Sequence, residues 1–231
     1  DCRLITDENM AKLAEIPIYP VRIAFDHWGL RKKYEEAVRT AVRHGHKNLS
    51  NYILYNYDEK PIELYWRLKL NVDLCEELGA SIYSFPMKYH PIEDPDYFSN
   101  RDYIGKYWNR KFIRTIQAIL NSTKGKVGKG YDFFCKAFGS NDEEFFKLLY
   151  MPEAMIIYRF YFEKTGLTDK WWNAYSSLTD EEKAIINPII ENNDFHDIAS
   201  FGLSNRLREV LEFYTIRRED AEKVLKAENN E

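Results

Sequence analysis

From Val21 to Asp26 the chain alternates: Val21, Ile23 and Phe25 are apolar, while Arg22 and Asp26 are charged. A period of two predicts a strand with one face buried. Arg31–His44 changes to helical spacing and stops near Gly45. Leu49–Tyr57, rich in aromatic and β-branched residues, predicts a second strand. Pro61 stands where a first helical residue belongs, Ile62–Leu78 continues as a long helix, and Gly79 ends it. Ser81–Tyr89 is a further extended run, in which Pro86 is expected to end sheet pairing. Ahead of these units, Cys2–Ile5 predicts a short strand. Thr6 caps a helix over Met10–Ile16, which Pro17 and Pro20 break.

Strand and helix therefore alternate at roughly 30-residue intervals, the mark of βα units with parallel strands. Right-handed crossovers then leave a doubly wound sheet or a full or partial barrel. His90–Asn100 is a loop, and the strand signal fades beyond it. Tyr103–Leu120 has helical spacing, and Asn121–Gly130 is a polar Gly/Lys connector. Ser140–Glu143 and Thr179–Glu182 are capping boxes, and Asn205–Ala227 predicts one final helix. The expected division is a βα region over 1–95 and a helical region over 96–231.

Net charge is −4, so the chain as a whole has no general attraction for nucleic acid. Residues 101–140 differ, holding nine Lys/Arg against two Asp, a local excess of +7. Tyr103, Tyr107, Trp108, Phe112 and Tyr131 are interleaved with those cations. Two readings of 101–136 stand. One is a nucleic-acid or protein-binding surface that neutralises phosphates and stacks bases. The other is an amphipathic helix with rings inside, cations in water and the acidic tail as partner. Cys2, Cys75 and Cys135 are odd in number and far apart, which suits a reducing, cytoplasmic setting. No apolar run is long enough to cross a bilayer. A start at Asp1, inside an apparent strand, suggests a longer parent chain.

Three segments together resemble the radical S-adenosylmethionine (SAM) superfamily. They are Val21–His27, Tyr52–Asp58 leading through Pro61 into Glu63–Leu68, and Ser84–Tyr89. Each looks like a late strand of that family's incomplete α/β barrel with its following helix or loop. The likeness covers about residues 1–120 and implies the C-terminal part of a half TIM-like barrel followed by a helical extension. The resemblance implies SAM and a four-iron–four-sulfur cluster as cofactors of the parent protein. The family's Cys-x3-Cys-x2-Cys motif is absent, however, so no cluster is expected on this chain and no metal ligands are assigned.

Alternation places Arg22 and Asp26 on one strand face, Asp1 and Arg3 on another, and Tyr52, Leu54 and Asn56 on a third. In a barrel covered outside by helices these sets face the lumen, with Asp26, Asn56 and Asp58 at the C-terminal strand ends where barrel sites lie. An Arg fork suits the methionyl carboxylate of SAM, and carboxylates or amides suit its ammonium and ribose. The expected cofactor contacts are thus Arg3, Asp26, Asn56 and Asp58, with Tyr52 and Lys88 as expected substrate contacts. The competing reading is an internal ion pair of Arg3 or Arg22 with Asp26, and for Arg22, deeper in its strand, the structural role is preferred. His44-x-His46 lacks further ligands at metal spacing. Gly125–Gly130 lacks the hydroxyl residue of a Walker loop.

Overall fold

The structure is a computed structural model that describes residues 1–93 and 102–228. Twelve α-helices and one three-stranded parallel sheet are present among the described residues. The chain divides into two compact units: Asp1–Trp108 with Leu120–Phe146, and Asn109–Ile119 with the chain from Lys147 onward. The expected split into 1–95 and 96–231 followed the fading strand signal, whereas compactness groups residues 120–146 with the sheet.

In the first unit, β1 (Val21–Arg22), β2 (Asn48–Tyr55) and β3 (Ser81–Lys88) lie side by side in chain order. Between them run α2 (Arg31–Arg43) and α3 (Pro61–Leu78), preceded by α1 (Asp7–Ala14). Val21 pairs with Leu49, and Asn48 through Tyr55 pair with Ser81 through Lys88, all parallel. Val21, Ile23, Phe25, Leu49 and Ile82 meet Tyr34, Ala37, Val38 and Ala41 of α2 and Leu74 and Cys75 of α3 in one core. Both crossover helices therefore cover the same face of the sheet. Two side-chain amides bond across the layers, Asn51 donating to the Tyr34 hydroxyl at 2.7 Å and Asn71 to the Ser84 hydroxyl at 2.7 Å.

Helix α3 is buried on more than one side, which fits its mix of apolar residues all round. Away from the sheet, Tyr65 stacks on Phe134 and Phe145 of α5 (Tyr131–Phe138) and α6 (Asp142–Tyr150), at 5.6 and 5.0 Å between centroids. Pro61 opens α3, and Gly79 ends it in the left-handed region at φ 58°.

Five local expectations are corrected. Cys2–Leu4 forms a 3-10 turn, not a strand: the Asp1 carboxylate accepts from the Arg3 amide at 3.0 Å and pairs with its guanidinium, a local alternative to a sheet ladder. Pro86 does not end pairing, which runs to Lys88. The Ser84 amide points outward to Val127, so the nitrogen of Pro86, two residues on, faces the outer edge where no donor is needed. The helix expected from Tyr103 begins only at Arg110, as α4 (Arg110–Ser122). The last helix is broken into α11 (Asn205–Glu212) and α12 (Arg218–Glu228), the second opened by the Asp220 carboxylate accepting from the Arg217 amide at 2.9 Å. The Ser140 box is shifted by one residue, Asn141 accepting from the Glu144 amide. The Thr179 box forms as expected.

The second unit also contains α7 (Glu153–Ile157), α8 (Arg159–Lys164), α9 (Leu167–Ser176) and α10 (Asp180–Asn192). Three successive carbonyls ending α6 are taken by side chains: Leu149 by the Thr115 hydroxyl at 3.2 Å, Tyr150 by the Tyr214 hydroxyl at 2.8 Å, and Met151 by the Lys111 ammonium. These are the groups a helix end leaves without intrahelical partners. No described helix is long and apolar enough to cross a membrane.

Lys111 is 1% exposed, and burial pushes its pKa down to about 7, against a smaller upward pull from Glu153. Unfolded lysine keeps its proton to about 10.4, so between the two values the unfolded chain binds the extra proton and stability climbs with pH. Wild-type stability in urea is expected to rise by about 2 kcal/mol from about pH 7 to 9 relative to Lys111→Met. Parallel pH profiles for the two proteins refute the buried amine.

Candidate functional site

The C-terminal ends of β1 and β2 are tied together by one buried side chain. Arg67 of α3 is fully buried, and its guanidinium donates to the carbonyls of Phe25 at 3.3 Å, Asp26 at 2.9 Å and Leu54 at 2.7 Å. Its Nε donates to the Glu63 carbonyl one turn back at 3.2 Å. Burial holds the Arg67 pKa down, offset by the charges of Glu59, Glu63 and Asp26. Glu59 is half-buried with Oε1 lacking a partner, and desolvation raises its pKa while Arg67 opposes the rise.

Asn56 follows β2 at φ 67° and is fully buried. Its side chain accepts from the Gly105 amide at 2.9 Å and donates to the carbonyl of Tyr103 at 3.0 Å. The chain at Gly105 lies so close that an added Cβ would stand 2.2 Å from the Tyr57 carbonyl oxygen. That docking lines up Tyr57, Tyr89 and Tyr103, with centroids 4.5 and 5.4 Å apart, beside the strand ends. Every side-chain polar atom of Asn56 is thus engaged in holding the backbone, which leaves it a structural residue and not a free contact.

The other expected residues separate. Asp26 and Asp58 are exposed beyond the ends of β1 and β2. Arg3 stands outside the sheet and is ion-paired with Asp1. Lys88 closes β3 with partial burial. Tyr52 is 48% exposed on the sheet face opposite the helices, its ring tilted against Phe85 at 5.7 Å and approached by the Arg22 guanidinium at 5.5 Å from the ring centroid. That face carries Leu54 and Met87 exposed as well.

No protein-family model matches the chain, and no curated protein or solved structure does.

The basic–aromatic stretch is largely folded inward. Trp108, Phe112 and Lys111 are buried, Trp108 donating to the Glu59 carbonyl at 2.9 Å. Arg114 pairs with Glu153 at 2.7 Å, and Tyr107 and Tyr131 carry lysines over their rings. Arg101 lies outside the described residues. This arrangement fits the amphipathic reading of 101–136 better than a nucleic-acid surface there. His44 pairs with Asp7 at 3.1 Å and His46 lies 3.4 Å from the Met10 carbonyl. Among the described residues no three His, Cys, Asp or Glu cluster for a metal ion.

Sequence reasoning missed Arg67. Its signal was a polar stripe, Arg67 and Asn71, spaced four apart on the otherwise apolar sheet-facing side of α3. Replacing Arg67 by Met leaves three strand-end carbonyls without donors, and a loss of about 3 kcal/mol is expected in urea unfolding. Arg67→Lys, with one ammonium in place of a planar fork, should recover only part of it. A loss below about 1 kcal/mol would show that water replaces the guanidinium.

Proposed function

We propose that the chain supplies the C-terminal βα units of a radical SAM-type partial barrel, with the bare sheet face and its C-terminal lip meeting SAM and substrate. The observation that carries this is a sequentially ordered parallel sheet whose crossover helices, among the described residues, cover one face. A doubly wound sheet reverses its strand order and is covered on both faces, whereas barrel strands run in order with all helices outside. A bare face bearing Arg22, Tyr52 and Phe85 is what a half-barrel turns to its lumen.

The chain's own thiols do not fit an iron–sulfur cluster. Cys2 and Cys75 are packed in the core with pKa values raised by burial, and Cys135 is apart on α5. Convergence of thiolates on one cluster needs accessible, deprotonated sulfur. On this reading the cluster is carried by residues beyond these 231, and the segment performs no reductive step alone. What it offers SAM is the pair of exposed carboxylates, Asp26 and Asp58, for the ammonium and ribose hydroxyls.

Calorimetric titration of SAM into this chain should give saturable heat, with Asp26→Asn weakening binding about tenfold, the loss of one charge-assisted hydrogen bond. An absence of heat at millimolar SAM, or an unchanged titration for both Asp26→Asn and Asp58→Asn, overturns the assignment.

A further inference from the structure

Strand register arranges the bare face in two rows. Arg22 of β1 pairs with Ser50 of β2, which pairs with Tyr83 of β3; one step on, Tyr52 pairs with Phe85. The first row is polar and cationic, the second aromatic. Ser50 is 3% exposed, yet its hydroxyl has no hydrogen-bond partner, although it lies on the face of Tyr52 and Leu54 and not on the helix side.

Cations stand at both edges. At the β1 edge Arg22 is exposed, its guanidinium over the Tyr52 ring. At the β3 edge the Gly/Lys connector is bonded to the sheet, Val127 and Ser84 exchanging hydrogen bonds at 2.7 and 2.8 Å. This places Lys126 over Tyr83, 5.2 Å from its centroid. Gly128 lets the connector pass close to Tyr83, where a Cβ would stand 3.0 Å from the ring. Among the described residues neither Arg22 nor Lys126 is ion-paired with a carboxylate.

We infer that this face binds single-stranded nucleic acid, with bases stacked on Tyr52 and Phe85 and successive phosphates at Arg22 and Lys126. Two strand spacings separate β1 from β3, about 10 Å, wider than a single phosphate group. Planar rings flanked by spaced cations match a strand with several phosphates better than a free nucleotide or an acidic peptide, which offers no base to stack. The inference rests on reading this face as the ligand-facing wall and adds the substrate class.

Fluorescence anisotropy with a labelled oligouridylate tests it on the full chain. Binding is expected at about 50 mM salt and should weaken as salt rises. Tyr52→Ala should reduce affinity about ten- to a hundredfold. Tyr52→Phe should retain binding and Tyr52→Leu lose it, which separates stacking from misfolding, with melting curves confirming the fold. Arg22→Gln with Lys126→Gln should flatten the salt slope by about 1.4. Absence of binding at low salt, indifference to Tyr52→Leu, or equal competition by polyglutamate or uridine monophosphate overturns the inference. The SAM titration is read separately: heat with SAM and no oligonucleotide binding removes the nucleic-acid substrate alone, while the reverse removes the cofactor reading alone.

Discussion

A guanidinium that serves carbonyls from two neighbouring strands fixes the end of the sheet. Parallel strands carry their ladder up to a point and then leave backbone acceptors facing the layer of crossover helices, where water is scarce. Arg67 answers this with a planar fork bonded to Phe25, Asp26 and Leu54, without a carboxylate in direct contact among the described residues. The bonding to neutral acceptors spreads its charge, and Glu59, Glu63 and Asp26 supply the remaining compensation at longer range. Because Asp26 and the turn at Asn56 both depart from this junction, the geometry of the lip follows from one side chain on α3.

From the same junction follows the contrast between the two sheet faces. The helix side is sealed by Leu49, Ile82 and the apolar faces of α2 and α3, with neutral pairs such as Asn51–Tyr34 bonded across the layers. The far side keeps Tyr52, Leu54 and Met87 in contact with solvent. Burial of such side chains is favourable by roughly 25 cal/mol per Å², so their exposure is a standing cost that a ligand or covering chain relieves.

Much of this arrangement was legible in the chain itself, where the signal was local. Thr6, Pro61, Gly79 and Thr179 act through their own backbone and were placed correctly. Strand alternation from Val21 to Phe25 gave the buried face. What escaped depends on distant partners. Cys2–Leu4 has strand composition but curls because Asp1 supplies a bond at close range. Pro86 was misjudged because whether its missing donor matters depends on which strand edge it faces. For the site, Tyr52 was legible as a strand residue on the polar-facing side. Asn56 and Arg3 were not, since an amide or guanidinium reads alike whether it awaits a ligand or is already bonded to backbone or to Asp1.

The triple closure at the end of α6 has a consequence for how the protein is made. Its donors come from Thr115 and Lys111 on one side in sequence and from Tyr214, 64 residues after Tyr150, on the other. Long loops must close before such contacts reward the chain, so this unit forms by non-local pairing. On the ribosome, Leu149, Tyr150 and Met151 emerge well before the tyrosine that completes them. The helical unit therefore waits, with α6 open to solvent at its end, until Tyr214 has also emerged.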